Sequence, residues 1–95
     1  MNGRRLYLIA YDIASSRRWR RVHKLLVRAG ERQQFSIFLC HLPPERMRRL
    51  ESAMLRALDL TDDRLMVVDL GDAETGAARL RATGSAMTAA WPVLL

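Results

Sequence analysis

Asp12 is the residue that chemistry would use first. It closes an apolar run, Leu6-Tyr7-Leu8-Ile9-Ala10-Tyr11, and stands just ahead of a serine pair and a cluster of arginines. An acid at the end of a buried strand lies where open sheets usually present ligand-binding groups. One carboxylate suits Mg²⁺, which keeps several of its waters and often takes only one or two protein carboxylates. Two copies of Asp12 facing each other across a dimer axis would make one shared site for a hard cation. Such an ion lowers the pKa of a water and neutralises a scissile phosphate. The alternative role is structural: Asp12 caps the following helix or pairs with Arg17 or Arg18.

The basic cluster after Asp12 comprises Arg17, Arg18, Arg20, Arg21, Lys24 and Arg28, with no acid between Ile13 and Gly30. Guanidinium forks match phosphate oxygens bidentately, and several neutralised phosphates make binding steeply salt-dependent. A charged run on a helix is ordinarily a solvated face. Here no acid interleaves to form i,i+4 pairs, so the segment repels itself until an external anion binds. Phosphate-backbone binding is the expectation. Base-specific reading is not, because no recognition-helix, zinc or aromatic-stacking motif is present.

The other reactive side chains give weaker signals. Ser36 has no base at readable spacing and suits an ordinary strand position better than a nucleophile. His23 on the basic segment and His41 at a strand end each suit a general base, but both are isolated. Cys40 beside His41 lacks the further ligands of a metal site and fits a small buried hydrophobe.

The elements that must hold these residues follow from periodicity. Leu6–Ile13 is nearly continuous in apolar residues, as in a strand covered on both faces. Ser15 or Ser16 caps a helix over Ser16–Ala29, whose buried stripe is Trp19, Val22, Leu25, Leu26 and Ala29. Gly30 is placed to stop it. Glu31–Leu42 is extended, either one long bent strand or two short ones joined near Gln33-Gln34. Pro43-Pro44 ends it and opens a second helix with Met47, Leu50, Ala53, Met54, Ala57 and Leu58 inside. Asp59–Asp63 reads as a polar loop and Leu65–Leu70 as a strand. Residues 72–90 read as loop with at most a helical turn, and 91–95 as an edge strand, since Pro92 suits only an edge or a strand start. This order predicts an α+β, ferredoxin-like β-α-β-β-α-β sandwich over residues 1–71. A tail over 72–95 then carries the extra C-terminal edge strand. Trp91 and Leu94-Leu95 would bury well against a second copy, so a homodimer is expected.

Composition agrees. Ninety-five residues with 49% hydrophobic and 27% charged describe one ordinary globular domain. A single cysteine excludes a disulfide scaffold, and no apolar run is long enough to span a membrane, so a cytoplasmic setting is expected. The net charge of +6 is uneven. Residues 1–50 hold 12 Lys/Arg against 3 acids, while residues 51–95 hold 4 against 7. The basic half points to a polyanion, and the acidic half is freer to meet a protein.

Tyr11-Asp12-Ile13 closing the first strand, arginines opening the first helix, and Gly30-Glu31-Arg32-Gln33-Gln34-Phe35-Ser36-Ile37-Phe38 resemble the CRISPR-associated protein 2 family. Gly30, Arg32, Gln34, Ser36, Ile37 and Phe38 match that family's second motif position for position. The resemblance covers roughly residues 5–70. It implies a cytoplasmic homodimer whose C-terminal strand adds to the partner's sheet. It also implies that the dimer bridges dimers of the CRISPR integrase, CRISPR-associated protein 1, and helps hold duplex DNA during spacer acquisition. Members are described as Mg²⁺-dependent endonucleases on RNA or double-stranded DNA, which maps the catalytic metal ligand to Asp12. Tyr11, Arg17, Arg18, Arg20, Arg21, Lys24, Arg32, Ser36 and Phe38 are the expected nucleic-acid contacts around it. A scaffold that binds DNA without cutting it is the second reading.

Overall fold

The computed structural model describes residues 3–81. Its elements are β1 (Arg5–Asp12), α1 (Ser16–Ala29), β2 (Glu31–Gln34), β3 (Ile37–Leu42), α2 (Pro44–Ala57), β4 (Arg64–Asp69) and α3 (Ala73–Arg79). The sheet runs in the order β2-β3-β1-β4 with every neighbouring pair antiparallel, which is the ferredoxin-like arrangement expected from the sequence. The expected edge strand at 91–95 lies outside the described residues.

Glu31–Leu42 is two strands, not one bent strand. The reversal falls at Phe35-Ser36, two residues later than the Gln33-Gln34 junction expected, and the register shifts between Arg32 and Gln34. The chain offers no Asn-Gly or Pro-Gly signal there, so only pairing with β1 fixes the turn. Ser36 contributes its carbonyl, which accepts from the Tyr11 amide at 3.1 Å.

One sheet face carries Tyr7, Ile9 and Tyr11 of β1 with Phe38, Cys40 and Leu42 of β3. They pack against Val22 and Leu26 of α1 and Met47 and Met54 of α2. This is the main core, and both helical stripes supply it as their spacing requires. Burial pushes the Cys40 thiol up to about 12. Gly30 ends α1 with extended backbone, its amide donating to Leu26 O. Its missing side chain serves packing: a Cβ there would run into the Leu39 carbonyl and the Cys40 sulfur. Gly30 thus stops α1 as its position in the sequence leads one to expect, and β2 begins at once.

Among the described residues, the opposite sheet face is covered at one end only. There α3 packs Ala77, with Leu80 just beyond it, over Leu6, Leu8, Leu39 and Leu70. The stretch expected as loop is helical over Ala73–Arg79. Asp72 caps it by accepting from Thr75 N at 3.0 Å. Gly71, with φ at 90°, turns the chain out of β4 into this cap. Beyond α3 the face lies open: Met66 is 57% exposed and Val68 37%.

Candidate metal and nucleic-acid site

Asp12 ends β1 on the open sheet face. Residues directly opposite in an antiparallel pair share a face. Asp12 is therefore grouped with Arg64, Ala10 with Met66 and Leu8 with Val68. Asp12 is exposed, and its side chain makes no hydrogen bond or ion pair among the described residues. Neither structural role suggested by the sequence applies. Ser15 caps α1 by accepting from Arg18 N at 3.2 Å, and Arg18 pairs with another acid.

That acid is Asp63, just before β4. Its carboxylate is fully covered, and four donors hold it. Arg18 Nε lies 2.7 Å from Oδ2 and Arg18 Nη2 3.1 Å from Oδ1. The Ala14 amide donates to Oδ1 at 2.9 Å and the Asp59 amide to Oδ2 at 2.9 Å. The Arg18 bond, reinforced by the two amides, holds the Asp63 carboxyl well below the usual carboxylate range. Asp63 thus ties the loop after β1 to the loop before β4, behind the end of the strand that carries Asp12. The sequence shows it as one more acid in a polar loop. Beyond the nearby Asp59 amide, its partners are 45 and 49 residues distant, so no local pattern reveals the contact.

An open hollow of about 600 Å³ lies at this end of the sheet, lined among others by Asp12, Leu60, Arg64, Leu65 and Met66. Leu60 is 68% exposed. The described residues contain no group of three or more His, Cys, Asp or Glu arranged to hold a metal. A single free carboxylate on the lip of the hollow fits a largely hydrated Mg²⁺, whose remaining ligands would be waters or groups from another molecule.

The basic residues divide into two groups. Arg17, Arg20, Arg21, Lys24 and Arg28 are exposed along the outward side of α1 and have no acidic partner among the described residues. Arg18, expected among the phosphate contacts, is committed to Asp63 instead. Arg32 is displaced from that group, in β2 ahead of the β2–β3 turn. Its guanidinium carbon sits 5.1 Å from the centre of the Phe35 ring, and its Nε donates to Gln34 O at 3.4 Å. Phe35, not singled out from the sequence, is the most exposed large apolar residue described, at 77%.

Tyr11 and Phe38 are core residues. They are 5% and 1% exposed, stacked with ring centres 6.3 Å apart, and present no ring face to a ligand. Burial raises the Tyr11 pKa, with Arg32 acting in the opposite sense. His23 lies flat against Trp19 at 4.5 Å and edge-on to Phe38 at 5.7 Å, which makes it a packing residue of α1. No described helix is long and apolar enough to cross a membrane.

Comparison with known proteins adds the family. The model of the family described as CRISPR associated protein Cas2 matches residues 5–77, reaching through most of α3. A Geobacter sulfurreducens protein named CRISPR-associated endoribonuclease Cas2 is 34% identical over 79 residues, 83% of each chain. A Thermus thermophilus protein named CRISPR-associated endonuclease Cas2 2 is 40% identical over 65 residues, 68% of this chain and 72% of its own. Among solved structures, a hypothetical protein of Thermus thermophilus matches with a TM-score of 0.77 and 32% identity, over 88% of this chain and 95% of its own. Streptococcus pyogenes Cas2 matches at 0.72 and 26%, over 83% and 99%. Family model, sequence identity and fold agree: this chain belongs to the CRISPR-associated protein Cas2 family.

Proposed function

We propose that this chain is a homodimeric, Mg²⁺-dependent endonuclease that binds nucleic acid along α1 and cleaves a phosphodiester bond at Asp12. The observation that carries the reading is Asp12 itself: an exposed, unpaired carboxylate at a strand end, on the lip of an open hollow. The nuclease names of relatives at 34% and 40% identity support it.

The residues divide the work. The α1 cations hold the sugar-phosphate backbone by charge, independent of base sequence. Asp12 supplies a fixed negative charge at the reacting phosphate. When bound there, Mg²⁺ would contribute positive charge against the phosphate and make a water more acidic. In the step itself a water oxygen bonds to phosphorus as the P–O ester bond breaks. The water loses one proton to solvent, and the departing oxygen gains one.

The open apolar face around Met66 and Val68 supports the homodimer, since a second copy laid on it would bring another Asp12 toward the first. The setting proposed is the cytoplasm, with the dimer bridging dimers of the CRISPR integrase during spacer acquisition.

A second reading is favoured by the ligand count. One protomer offers a single free acid here, and a basic helix binds DNA without any catalytic group, so a non-cleaving scaffold needs only α1 and the interface. The Asp12→Ala variant separates the two. Cleavage of RNA and duplex DNA in Mg²⁺ is expected to fall at least ~100-fold, with duplex binding retained. Equally poor cleavage by variant and wild type would overturn the nuclease and leave the scaffold, and equally strong cleavage would remove Asp12 from the reaction.

A further inference from the structure

Arg64 is the first residue of β4 and the direct cross-strand neighbour of Asp12. Both side chains are exposed, and both line the same hollow. Opposed residues in an antiparallel pair carry Cβ atoms roughly 4.5–5.5 Å apart. Yet the Arg64 side chain, like that of Asp12, makes no hydrogen bond or ion pair among the described residues. The other arginine at this end of the sheet, Arg18, is held in two-point contact by Asp63. Among the residues lining the hollow, Arg64 is thus the one cation, and it is free.

We propose that Arg64 anchors the substrate phosphate: its guanidinium takes the two non-bridging oxygens of the phosphodiester presented to Asp12. The proposal rests on the phosphodiesterase reading and adds the group that reading lacks. A carboxylate alone repels a phosphate. A planar fork beside it draws the anion in and fixes its orientation, with the reacting phosphorus on the Asp12 side. The α1 cations cannot fill this role. They run along an exposed helix on the other side of the sheet, where they hold the strand without placing one phosphate at the hollow.

The test measures binding in an Asp12→Asn background. This removes cleavage and any pairing between Asp12 and Arg64, so the remaining Arg64 effect belongs to the ligand. The probe is a fluorescently labelled single-stranded RNA octamer, followed by anisotropy at one fixed salt concentration without Mg²⁺. Adding Arg64→Met is expected to weaken binding by ~10-fold, as befits a charge-assisted pair. Arg56→Met, which removes the same charge from the exposed side of α2, sets the purely electrostatic baseline. Arg64→Lys is expected to fall between the parent and Arg64→Met, because it keeps the charge and loses the fork.

Equal losses for Arg64→Met and Arg56→Met would overturn the proposal. If Arg64→Met does not fold, Arg64→Lys decides, with affinity equal to the parent as the overturning result. Cleavage by wild type against Asp12→Ala judges the phosphodiesterase reading separately. Its failure alongside an intact Arg64 effect would leave Arg64 as a binding residue of a scaffold.

Discussion

The Arg18 guanidinium grips the Asp63 carboxylate at two points, Nε to Oδ2 at 2.7 Å and Nη2 to Oδ1 at 3.1 Å, across 45 residues of chain. Two backbone amides, from Ala14 and Asp59, complete the coordination of that carboxylate. Two loops and the first turn of α1 therefore depend on one buried acid.

Replacing Asp63 should cost stability. Asp63→Ala leaves Arg18 and two amides without their acceptor, and a drop in melting temperature of roughly 10 °C or more is expected. The pH dependence has a definite sign. The folded carboxyl titrates below its unfolded value, so its contribution is fully present above about pH 4 and is lost as pH falls through that value and below. Melting curves between pH 7 and pH 2.5 should fall more steeply for wild type than for Asp63→Asn. Parallel curves would show that another carboxylate governs acid unfolding.

The division of the arginines gives a second expectation. Charge reversal at Arg17, Arg20, Arg21 and Lys24 should flatten the log–log salt dependence of duplex DNA binding by about 3 to 4 in slope. Arg18→Met should act differently, lowering melting temperature with little change in that slope. A salt titration of the two variants checks this. A slope that responds to Arg18 as strongly as to Arg20 would mean the Asp63 contact opens when DNA binds.

The open sheet face makes a third. Met66→Arg places a charge where an apolar partner surface is proposed, and should weaken the dimer at least ~10-fold by sedimentation. The variant chain should still fold, since Met66 is 57% exposed. An unchanged dimer would transfer the interface to another surface of the chain.

Much of the fold is legible in the sequence because the signals are local. The apolar run ending at Asp12 and the stripes of Trp19–Ala29 and Met47–Leu58 each declare an element within a few residues. The hairpin turn at Phe35-Ser36 is not legible, since neither residue demands a turn. Nor is α3, although its signals are present: Asp72 at the cap, Glu74 in the first turn and Arg79 in the last. Seven residues with Gly76 among them look like loop until the reason for that glycine is known. A Cβ at Gly76 would press on Leu70 and Leu6, so the glycine lets the helix sit close to the sheet.

The candidate site divides the same way. Asp12 stands out because a strand end and a basic run flank it. Arg64 does not, because its meaning comes from the register between β1 and β4, which pairs residues 52 positions apart. Arg18 and Phe38 are misleading in the opposite sense. Here the one is spent on the Asp63 contact and the other on the core, and neither use is visible in a local pattern.

The Asp63 tie also has a mechanical consequence. It fastens the two loops at the base of the hollow to each other and, through Arg18, to the first turn of α1. Among the described residues, the end of the sheet that carries Asp12 and Arg64 is thereby braced from behind by one buried contact. In a dimer, a change in the separation of the two Asp12 carboxylates is then expected to come from whole protomers rocking against each other. The motion to look for is a hinge between subunits, not a loop within one.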